Sequence, residues 1–81
     1  MYSQLKEANP HALTLDGFDE AYIGMSLQAG ERALATYDYD KCIAVLMDRG
    51  YTSRDEAKRH FAFNVAERYR GQNTPLILVG Y

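Results

Sequence analysis

The hydrophobic pattern of this chain changes its period twice, and the order of those changes limits the folds open to it. Across residues 21–27, Ala21, Ile23, Met25 and Leu27 point one way while Tyr22, Gly24 and Ser26 point the other. That is the period of a half-buried strand. Further on, Ala57, Phe61, Val65 and Tyr69 recur at every fourth residue and draw a slowly drifting stripe along a helix. Residues 76–79 are then apolar without a break, as in a strand covered on both faces. Strands that precede and follow helices predict a sheet carrying those helices.

Turn and cap residues divide the chain between these stretches. His11-Ala12-Leu13-Thr14-Leu15 alternates and stops at Asp16-Gly17, a turn signal, so it reads as a first strand. Residues 28–31 read as a hairpin connection leading into a strand over residues 33–37. Asp38 or Asp40 is placed to cap a helix that runs to about Arg49 and stops at Gly50. Thr52 or Ser53 caps the second helix, and Ser53 with Glu56 forms a capping box. That helix extends to about Arg70 and ends at Gly71. Thr74-Pro75 then pushes the chain into an extended conformation before the last strand. The predicted class is α+β, a small three- to four-stranded, mostly antiparallel sheet with two helices on one face, in the order β-β-β-α-α-β. Residues 1–10 form an N-terminal arm or short helix, and residues 11–81 form one domain.

Composition narrows the function classes. A chain of 81 residues supports one core and buries about 60–65% of its unfolded surface. Nine basic and eleven acidic residues, mixed along the chain, give a net charge of −2, without the basic footprint of a nucleic-acid binder. Arg54, Lys58, Arg59, Arg68 and Arg70 share the second helix but are spread around it and interleaved with Glu56 and Glu67. No apolar run approaches the ~20 residues of a membrane span, and the polar first ten residues do not read as a secretory signal. One cysteine cannot form an internal disulfide, and with no such signal this points to a reducing cytoplasm.

The chemistry-bearing residues have structural readings. Cys42 lies inside an apolar run and reads as a small buried hydrophobe. Asp16, Asp19, Glu20, Asp38 and Asp40 fit turns and caps, and the calcium-loop pattern is absent. His60 and Asn64 stand four apart as a polar pair, and Asn64, near the core stripe, is expected to bond neighbouring backbone. The six glycines form no phosphate-cradling motif. No catalytic residue, metal ligand or cofactor is expected, so the chain reads as a binding module and not an enzyme.

Two surfaces carry more apolar area than the predicted fold requires. In the last strand Leu76 and Leu78 face one way, Ile77 and Val79 the other, yet two helices cover only one face of a small sheet. Tyr22 and Tyr37 fall on the uncovered face. Either that face is an interface or residues 1–10 fold over it. On the outer face of the second helix, Phe63 is ringed by Glu56, Arg59, Glu67 and Arg70, the composition of a contact hot spot, unless another segment packs there. The candidate partner-binding residues are therefore Tyr22, Tyr37, Arg59, Phe63, Arg70, Ile77 and Val79. The partner would be a foreign protein or a second copy of the chain, the latter with room to enclose a small ligand such as a nucleotide between subunits.

Four stretches carry a family resemblance: Asp16-Gly17-Phe18-Asp19-Glu20-Ala21, Tyr37-Asp38-Tyr39-Asp40-Lys41-Cys42, Phe63-Asn64-Val65 and Gly71-Gln72-Asn73-Thr74-Pro75. Their order and spacing resemble a group of short uncharacterised proteins encoded by bacteriophages and by bacteria with phage-derived genes. The resemblance spans about residues 13–79. It departs at Ala62, where such proteins usually carry an acidic residue before the Phe-Asn pair. What it implies is a small accessory protein of the bacterial host cytoplasm. Such a protein would bind a host enzyme, defence complex or transcription component and inhibit or redirect it.

Overall fold

Side-chain caps start both longer helices at the positions their sequences mark. The computed structural model describes residues 2–27, 32–65 and 73–79. Asp38 accepts a hydrogen bond from the Lys41 N–H at 3.0 Å and opens α2 (Tyr39–Asp48). The four N–H groups of a first turn lack helical partners, and a carboxylate at the N-cap satisfies one of them. The helix ends where Gly50 takes φ 108°, a value that glycine adopts without a Cβ clash. Ser53 does the same for α3 (Arg54–His60), accepting from the Glu56 N–H at 3.2 Å. Glu56 in turn accepts from the Thr52 hydroxyl at 3.0 Å. Beyond His60 the chain widens into a π-helical turn, Phe61–Val65. The rest of the helix expected to about Arg70 lies outside the described residues.

The sheet has three strands in the spatial order β1 (Tyr22–Ser26), β2 (Leu34–Asp38), β3 (Leu76–Leu78). β1 runs antiparallel to β2, and β3 runs parallel to it, so the protein is a small α+β fold with a mixed sheet. Two expectations are corrected. The sheet is not mostly antiparallel, because α2 and α3 carry the chain back so that β3 starts from the same end as β2. The alternating stretch from His11 to Leu15 is not a strand. Its donors go elsewhere: the N–H of Ala12 to the Asn9 carbonyl at 3.1 Å, of Leu13 to the Asn73 carbonyl at 3.1 Å, and of Leu15 to the Tyr37 hydroxyl at 2.9 Å. A segment whose backbone is satisfied by loops and side chains needs no ladder.

β1 also departs from simple alternation. Tyr22 faces Tyr37 and Gly24 faces Thr36, so Ile23 is an extra residue, a β-bulge. Gly24, at φ 144°, supplies the backbone this offset requires. The bulge shifts the phase of the strand. Tyr22 and Met25, three apart, both turn to the core beside the buried Tyr37 and Ala35. Ile23 is instead 44% exposed and Leu27 67% exposed, so of the expected inward set Ala21 and Met25 hold while Ile23 and Leu27 do not.

The core lies on the Tyr37 side of the sheet. It joins Ala33, Ala35 and Tyr37 of β2, Cys42, Ile43, Val45 and Leu46 of α2, and Ala57 and Phe61 from the third helical segment. Phe18 and Phe61 meet edge to face at 5.7 Å. The short helix α1 (Ser3–Ala8) belongs to the same core through the fully buried Leu5. A six-residue helix does not stand alone in water; packing holds it. Leu5→Ala is therefore expected to cost about 2–5 kcal/mol, lowering the thermal midpoint by roughly 10 °C or more for a domain of this size. Calorimetry or circular-dichroism melting checks this, and a change of only a degree or two would show that α1 is not part of the cooperative unit.

Candidate functional site

Of the residues expected to form a contact surface, the structure brings Tyr22 and Tyr37 together, but under cover. Their rings meet at 5.5 Å, and Tyr2, leading into α1, lies edge-on against Tyr22 at 4.7 Å. The Tyr37 hydroxyl accepts the Leu15 N–H at 2.9 Å and shares a 3.0 Å hydrogen bond with the Tyr2 hydroxyl. Tyr2 donates onward to Asp19 Oδ1 at 2.8 Å. Tyr37 is fully buried and Tyr22 half-buried, so Tyr37 cannot touch a partner. The tyrosines therefore do not lie on an uncovered face as expected: Tyr37 turns to the same core as α2 and α3, and Tyr2 packs beside that core against Tyr22.

The amide of Asn9 fastens the end of α1. It is buried, and its Nδ2 donates to the Ala33 carbonyl at 2.9 Å and to Asn73 Oδ1 at 2.9 Å. Its Oδ1 accepts the His11 N–H at 3.2 Å. Both amide ends are thus satisfied, as burial demands. Tyr2, Asn9 and Asp19 were absent from the sequence-predicted site. The one signal available was the pairing of a large aromatic at position 2 with an apolar Leu5 one turn later.

The opposite face of the sheet is partly exposed among the described residues. Strand register places Leu34, Thr36 and Asp38 of β2 beside Gly24 and Ser26 of β1 and Leu76 and Leu78 of β3. Leu78 is 55% exposed. Asp38 is the only charge in this set, and it is engaged as the α2 cap. Ile77, opposite Tyr37, is half-buried against the core, while Val79 is exposed. The expected aromatic and aliphatic face is thus not formed: Tyr22, Tyr37 and Ile77 turn to the core, and on the opposite face Leu34, Leu76 and Leu78 stand among Gly24, Ser26, Thr36 and Asp38.

Phe63 is the most exposed large apolar side chain among the described residues, at 71%. It sits in the π-helical turn whose Phe61 points inward to Phe18 and Tyr39. Arg59, one turn earlier, is exposed; Arg70 lies outside the described residues. Asn64 does not reach into the core as expected. It is exposed, and its amide hydrogen-bonds His60 Nδ1 at 3.3 Å, while the His60 ring lies 5.0 Å from that of Tyr51.

Reactive chemistry has little footing among the described residues. The Cys42 thiol is fully buried and pushed up to about 12, by burial first and then by the charge of Asp38, so it remains a neutral thiol rather than a nucleophile. Asp40 stands 3.6 Å from Arg54 at the surface. No group of three or more His, Cys, Asp or Glu side chains among the described residues could hold a metal ion, and no helix among them is long and apolar enough to cross a membrane.

No protein-family model matches this chain, and no curated protein and no solved structure matches it. The raised phenols of the tyrosine cluster predict a pH-dependent contribution to stability. Burial, and then the bonds to Tyr37 and Asp19, raise the Tyr2 phenol above its ordinary 10.0. Burial raises Tyr37, partly offset by its bonds to Tyr2 and the Leu15 N–H. A phenol raised on folding adds stability that is fully present below the unfolded-state value and is lost as pH climbs beyond it. Denaturant unfolding is expected to show stability holding to about pH 10 and then falling. The fall should be shallower in the Tyr2→Phe, Tyr37→Phe double variant; equal slopes in both proteins would show that this cluster contributes nothing.

Proposed function

We propose that this chain is a small accessory module that works by docking onto another protein through the Phe63 surface. The observation that carries this reading is a phenylalanine left 71% exposed on a π-helical turn. A large aromatic held in water is a cost that a protein contact removes, and aromatics with neighbouring arginines dominate contact energetics. The π-helical turn supports it further, since such turns are rare and frequent at functional sites. Arg59 supplies an adjacent positive, bidentate donor. The resemblance carried by residues 16–21, 37–42, 63–65 and 71–75 supports a phage-type accessory role, with a host protein as the partner to be inhibited or redirected. Buried Tyr37 drops out of the contact set, and Arg59, Phe63 and Val79 remain as its exposed members.

Phe63→Asp tests the reading. The side chain is too exposed to matter to the core, so stability should change by no more than about 0.5 kcal/mol. Capture of a host protein on immobilised chain, seen with the unaltered protein, should be lost with the variant. Unchanged capture removes this surface from the reading, and a large drop in thermal midpoint would show Phe63 to be structural.

A further inference from the structure

The two edges of the sheet are built differently. β1 carries the bulge at Ile23 and Gly24, one of the devices by which edge strands are kept from pairing with other chains. Among the described residues β3 carries no such device. Among the described residues no strand pairs with its outer edge, it has no bulge against β2, and residues 73–79 contain no charge. Pro75 precedes the strand and does not interrupt it. An unguarded edge presents free N–H and C=O groups that accept another strand.

We infer that the β3 edge pairs, antiparallel, with β3 of a second copy of this chain about a two-fold axis at Ile77. That register is self-complementary. Leu76 of one copy faces Leu78 of the other on the open face, Leu78 faces Leu76, and Ile77 faces its own counterpart. Either set of alternating backbone groups on this strand, whichever points outward, finds its match in such a pair. A neutral strand meets its copy with no like charges opposed, a condition a charged edge fails. The symmetry also argues for a copy over a foreign peptide: three residues give few main-chain bonds, but an isologous contact makes the off-axis Leu76–Leu78 contact twice. The two three-stranded sheets become one of six, and the Leu76 and Leu78 pairs form an unbroken apolar stripe across the join. This surface is separate from Phe63.

Light scattering on a sizing column, from low micromolar to millimolar chain, tests this. The mass should rise toward twice the 9.2 kDa of one chain. Leu78→Lys, at a half-exposed position, should hold the mass at one chain over the same range with an unchanged circular-dichroism spectrum. Leu76→Lys, its partner across the axis, should act the same way and guards against a folding defect in the first variant. In a dimer mixed from labelled and unlabelled chains, NMR should show contacts between Leu76 and Leu78 of different copies. A single-chain mass at every concentration overturns the inference, as does a dimer that survives both lysines or that only Phe63→Asp disrupts. Loss of host-protein capture leaves the mass measurement untouched, so the two ideas fail separately.

Discussion

A buried phenol holds this fold in register. Tyr37 sits on the central strand with its ring in the core and its hydroxyl far from water, where an unpaired hydroxyl would cost about 1–3 kcal/mol. The structure meets that demand with the Leu15 N–H on one side and Tyr2 on the other. Each partner brings a segment with it: the loop after Pro10, which has no ladder of its own, and the short helix α1. Leu5 and the amide of Asn9 then complete what the hydroxyl begins. One polar atom on β2 thereby ties down both segments.

What could be read from the sequence was what is decided locally. The caps at Asp38 and Ser53 and the stop at Gly50 involve partners within a few residues, so spacing alone reveals them. The inward stripe of Ala57 and Phe61 follows from helical period in the same way. The misreadings occurred where distant partners decide. The stretch from His11 to Leu15 alternates like a strand, yet its donors are taken by Asn73 and Tyr37. The bulge at Ile23 reverses the phase of β1, because the register is set by β2 rather than by β1 itself. The direction of β3 leaves no mark on a run of four apolar residues.

The same division applies to the surfaces. Phe63 could be marked as exposed because helical angle places it off the stripe, and the π-helical turn leaves it there. Tyr37 was misplaced because the bulge in β1 turns Tyr22 and its partner Tyr37 to the helix-covered face along with Met25, and no period encodes a bulge.

The parallel pairing of β2 with β3 also governs the order of assembly. Its partners are Thr36 and Leu76, 76 − 36 = 40 positions apart along the chain, whereas β1 and β2 are joined by a short connection. Loop-closure entropy rises with the length enclosed, and non-local strand pairs are reached slowly for that reason. The hairpin of β1 and β2 and the capped helices can form from near neighbours; the third strand must wait until both helices span the gap. Until then residues 76–79, wholly apolar, have no strand partner. The nascent protein's window of vulnerability to misassociation is therefore written into its topology, at the segment that arrives last.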